Sequence, residues 1–271
     1  MLSVVCRRCM LVVALSSLAL LATACTNPKL QPIVPKTRVT TDGEQSWALV
    51  LARVVTPDGY IRWDVLQKNE DGLTDTLRQY VGTLEVVSPD NRPDIFTADS
   101  DRWAYWVNAY NALSMYWIVL HNYPGHVPEE TNHKFLVGGQ QISVKEIRQL
   151  LYTGYKNPRI VFGLCDFAHD SPPLRSTPYD GPVLDAQLID QAHVYLSDPR
   201  AVQRKETTVL VNQMLMDNAM ELTQTSPDDA AKNPGKLLAV LKEFALPDSP
   251  LHDATAIDKF NYDESLDSPP R

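Results

Sequence analysis

The chain has little with which to cross-link its fold. It contains four cysteines, of which Cys6 and Cys9 lie close to the N-terminus, and Cys25 and Cys165 stand alone. It has no basic excess: 25 Lys and Arg face 33 Asp and Glu, for a net charge of −8. No basic stripe interleaved with aromatics occurs, which argues against nucleic acid and anionic surfaces as partners. Glycine is scarce, at 11 residues. The pair Gly138-Gly139 has no Lys-Ser/Thr after it, so it is no phosphate-cradling loop. No apolar run reaches the roughly 20 residues that a membrane-spanning helix needs. The histidines, His121, His126, His133, His169, His193 and His252, are scattered without a His-x-x-x-His spacing, so neither a metal nor another cofactor is expected. There is no internal repeat, and the chain is long enough for one sizeable core.

What is present begins with a targeting pattern. Arg7 and Arg8 precede an apolar run from Met10 to Leu21, interrupted only by Ser16 and Ser17; Ala22, Thr23 and Ala24 then lead into Cys25. A basic start, an apolar stretch and a small-residue cleavage site describe an export signal. Leu21-Ala22-Thr23-Ala24-Cys25 looks like a lipobox, which implies cleavage before Cys25 and lipid on its thiol. The alternative is an ordinary signal peptide ending near a cysteine. The lipobox reading makes residues 1–24 a signal peptide and residues 25–44 a lipidated cysteine with an extended tether, Pro28, Pro32 and Pro35 keeping that tether out of regular structure. The domain would then sit in the cell envelope, anchored to a membrane. Thr26 in place of an aspartate favours the outer membrane, facing the periplasm, if the cell has one. Cys6 and Cys9 leave with the signal, so Cys165 is the one free thiol of the folded part and no disulfide is expected in it.

The rest reads as one α+β domain, residues 45–266, with a polar tail over 267–271. Helices are expected over 46–55 and 72–84, and the strongest from a cap at Asp99 or Ser100 to Leu120. There Trp103, Trp106, Val107, Tyr110, Leu113, Trp117 and Leu120 recur at helical spacing. Phe135–Ile142 reads as a hairpin turning on Gly138-Gly139. Ser143-Val144-Lys145-Glu146 fits a capping box opening a helix to Leu151. Arg159–Leu164 reads as a buried strand, 165–179 as an irregular loop and 182–196 as a helix starting on Pro182. A hairpin over 201–211, a helix over 236–245 and a strand over 258–262 follow, with a frayed end after Asp263.

Trp106-Val107-Asn108-Ala109-Tyr110-Asn111-Ala112 resembles the Trp-Ile-Asn-x-Tyr-Asn-Ala helix of the domain-of-unknown-function 547 family. Further likenesses keep the family's order. They are Asp58-Gly59, Gly138-Gly139 before Ile142-Ser143, Pro158-Arg159-Ile160-Val161-Phe162-Gly163-Leu164, Pro172-Pro173-Leu174-Arg175 with Tyr179, and Asn261–Leu266. The chain departs from the family where chemistry would sit. A Glu-His pair falls on Arg148 and Gln149, a strand histidine on Val161, a Cys-Pro cysteine on Ser171, and an earlier loop cysteine on Asp166 or on the adjacent Cys165.

Two readings of the loop follow. In one, Cys165 is a nucleophile activated by His169, with Asp166 or Asp170 orienting the imidazole and Arg159 and Arg175 nearby, which would make the protein a thiol-dependent hydrolase or transferase. Ser171 with His169 is a weaker variant, because residues so close in a proline-rich loop seldom face one another. In the other, the replaced positions mean that the scaffold has lost its chemistry and binds a small-molecule ligand or an envelope protein. Asn108 and Asn111 share one helix face, where they either satisfy loop backbone or face a ligand; Arg175 either clamps a carboxylate or pairs internally. The candidate ligand-binding residues are thus Asn108, Asn111, Arg159 and Arg175. The decayed scaffold is the leading reading.

Overall fold

The computed structural model describes residues 42–127 and 133–269; the expected signal segment, Cys25 and most of the expected tether lie outside the described residues. The fold is α+β. The helices are α1 (Asp42–Val54), α2 (Trp63–Gln67), α3 (Leu73–Val86), α4 (Asp99–Leu120), α5 (Val144–Gly154), α6 (Leu184–Leu196), α7 (Gln213–Asp217), α8 (Ala219–Thr223), α9 (Pro227–Lys232) and α10 (Pro234–Phe244). The strands are β1 (Phe135–Val137), β2 (Gln140–Ile142), β3 (Val202–Lys205), β4 (Thr208–Asn212) and β5 (Ala256–Phe260).

The apolar side chains gather in two cores. The first is built on α4, whose middle from Trp106 to Met115 is buried on every side. A helix without a wet face must be wrapped, and α1, α3 and α5 supply Trp47, Leu51, Leu77, Leu84, Ile147 and Leu151. Trp47 stacks on Tyr80 at 5.4 Å, fixing α1 against α3. The second core lies between α6, α8, α10 and a three-stranded sheet of order β3-β4-β5, antiparallel then parallel. Burying an apolar side chain in either core contributes roughly 1.5–3 kcal/mol.

Local rules explain most of the elements. Gly138 and Gly139 hold positive φ, 57° and 81°, as a tight hairpin turn requires, and their N–H groups donate to the last carbonyls of α3 at Leu84 and Glu85. Ser143 and Glu146 form the capping box at the head of α5. Asp99 and Ser100 sit inside the first turn of α4 rather than before it; Ala98 occupies the cap position with no side-chain bond, and Asp99 and Asp101 complement the helix dipole instead.

Two expectations are corrected. Residues Pro158–Gly163 form a tight helical turn, not a strand. Pro158 opens it, and the Asn157 side chain accepts the Arg159 N–H at 3.0 Å. The segment runs between the cores, Ile160 facing the first and Val161 and Phe162 the second, so these three successive residues are all apolar and the run carries no period. The end after Asp263 is held, not frayed. Its backbone lies between residues 125–127 and 167–170, with antiparallel bridges His126–Ser265 and Ala168–Leu266, and Asp267 is buried.

Candidate functional site

The loop 164–180 crosses the face of α4 and is fastened at both ends by that helix. Asn111 donates from Nδ2 to the Gly163 carbonyl at 3.0 Å and accepts the Cys165 N–H on Oδ1 at 2.9 Å. One turn earlier, Asn108 donates to the Tyr179 carbonyl at 2.8 Å and accepts the Tyr179 N–H at 2.9 Å. Trp47 Nε1 donates to the same Asn108 oxygen at 3.4 Å. Two amides on one helix face thus grip the start and the end of the loop, and their donors and acceptors are committed to its backbone.

From α6, Gln187 accepts the Asp180 N–H and donates to the Pro178 carbonyl, and Gln191 donates to the Pro173 carbonyl. Tyr195 Oη and Asn212 Nδ2 both donate to the Asp170 carbonyl, at 2.7 and 3.0 Å. None of these four was singled out from the sequence. The signal was there: Gln187, Gln191 and Tyr195 recur at helical spacing within the buried face of α6, where a polar side chain must find a partner. Opposite them, Gly59 holds φ at 85° with its open side against Pro173; a Cβ there would stand 2.8 Å from the proline ring.

Cys165 is 3% exposed. Its thiol has Ser171 Oγ as hydrogen-bonding neighbour at 3.6 Å, and Ser171 accepts the Asp166 N–H at 3.1 Å. Burial pushes the Cys165 thiol up from its ordinary value, and the charge of Asp166 pushes it further. His169 takes a different partner. Its Nδ1 lies 2.9 Å from Asp170 Oδ1 and 3.7 Å from Asp263 Oδ2, and its side chain is 36% exposed. The loop therefore carries a buried, protonated thiol and a half-exposed imidazole oriented by a buried carboxylate.

The two arginines are internally paired. Arg175, 2% exposed, reaches Asp190 at 2.6 Å, with Tyr179 beneath its guanidinium at 5.9 Å. Its Nε is buried without a hydrogen-bond partner among the described residues. Arg159 lies over the Phe244 ring at 4.1 Å, with Glu243 at 3.9 Å. At the positions where the family's reactive residues would fall, Gln149 is exposed on α5, Val161 lies in the second core and Ser171 is buried against the thiol.

A second polar group, also missed in the sequence, borders the His169 end. Arg200 donates through Nε and Nη2 to Asp198 at 3.0 and 2.7 Å, and through Nη1 to the His169 carbonyl at 3.0 Å and to Asp267 at 3.4 Å; its guanidinium lies 4.6 Å over the Tyr60 ring. Asp267 is 4% exposed, and burial, only partly offset by Arg200 and His169, pushes its carboxyl up to about 7. Tyr262 Oη donates to both Asp166 oxygens, at 2.9 and 3.1 Å.

Among the described residues, no three His, Cys, Asp or Glu side chains converge in a way that could hold a metal ion, and no helix is long and apolar enough to cross a membrane. No curated protein and no solved structure matches the chain. Residues 96–196, the span from the approach to α4 to the end of α6, match the model of the family described as Protein of unknown function, DUF547.

Proposed function

We propose that the chain is a lipid-anchored cell-envelope domain that does no chemistry of its own and serves as a scaffold for a small ligand or a protein partner. The observation that carries this reading is the state of Cys165: buried, held protonated, and bonded to Ser171 rather than to His169. A thiol nucleophile needs a base or a positive field to become thiolate, and here burial and neighbouring carboxylates act in the opposite direction. The anchor rests on the sequence around Cys25, which lies outside the described residues. The envelope location follows from the same segment.

The reading is tested by alkylating the native protein with iodoacetamide at several pH values and mapping the adduct by mass spectrometry. The expected result is that Cys165 is modified only after denaturation. Rapid modification of native Cys165 with a pH-dependent rate would overturn the non-catalytic reading. Palmitate labelling that disappears in Cys25→Ala is the expected result for the anchor; persistent labelling would refute it. The thiol-hydrolase alternative draws its support from the His169–Asp170 pair, an imidazole oriented by a buried carboxylate.

A further inference from the structure

We draw no further inference here: the strongest candidate, the side-chain cluster of His126 and His169, which backbone pairing sets on either side of Ser265, belongs through His169 to the site already described, and among the described residues no third ligating group converges on it.

Discussion

The ends and the middle of the loop 164–180 are fastened by different chemistry. At the ends, on α4, neutral amides do the holding: Asn111 on Gly163 and Cys165, Asn108 on Tyr179. In the middle, beside residues 262–267, ionisable groups do it: His169 with Asp170, Arg200 with Asp198, and the buried carboxyl of Asp267. Amides carry no proton that leaves near neutrality, so the first fastening is indifferent to pH. The second includes the Asp267 carboxyl, which burial pushes up to about 7, so it changes with pH. The loop thus has permanent ends and a conditional middle, and the family-like residues Asn108 and Asn111 hold the permanent ends.

The comparison is broken most severely at Asn111. Asn111→Leu keeps the volume but leaves the Gly163 carbonyl and the Cys165 N–H buried without partners. Each such group costs about 1–3 kcal/mol, so a loss of about 2–5 kcal/mol is expected in urea unfolding, equal at acid and neutral pH. A loss well under about 1 kcal/mol would mean that the loop keeps its path without the amide. At the middle of the loop, Asp267→Asn sharpens the contrast. Relative to this variant, the natural chain should lose about 2–4 kcal/mol of stability as pH rises from about 4 to about 7, where the folded state gives up a proton that it binds more tightly than the unfolded chain does. Matching urea midpoints for the two proteins across that range would place Asp267 in an ordinary, solvated environment. Tyr262→Phe removes one hydroxyl from Asp166, whose remaining acceptors still face solvent and the Ala168 N–H; a loss of about 1 kcal/mol is expected, read as faster amide exchange of residues 262–267 with α4 unchanged.

How much of this could be read in advance follows the same division. Periodicity located α4 because the spacing that marks it is short-range in sequence; Trp106, Val107, Tyr110 and Leu113 announce their own face. The hairpin and the α5 capping box are legible for the same reason, since their chemistry lies within four residues. The Asn108–Asn111 pair was visible as two polar residues on a buried face, though not what they would grip. Short helices such as α7 and α8 carry too few turns to show a period. The segment 262–267 was least legible. Its partners, Phe167, Trp63 and Arg200, are brought to it only by tertiary folding, and a run such as Asp263-Glu264-Ser265 reads as tail until the walls on either side are known.

The smallest expected effect is at Cys165, and it bears directly on the permanent ends. Cys165→Ala removes one buried sulfur and its weak contact with Ser171, while the backbone N–H that Asn111 holds is untouched. The cost should be about 1 kcal/mol, the range for a small cavity in a well-packed site. Because burial and Asp166 keep the thiol protonated, the variant and the natural chain should show the same dependence of stability on pH through the neutral range. A nucleophile poised as thiolate would behave otherwise. Removing it would relieve a buried charge, and the two stability curves would separate as pH rises. Parallel urea midpoints therefore distinguish a packing cysteine from a reactive one without any substrate in hand, and divergent midpoints would return the loop to the class of sites that do chemistry.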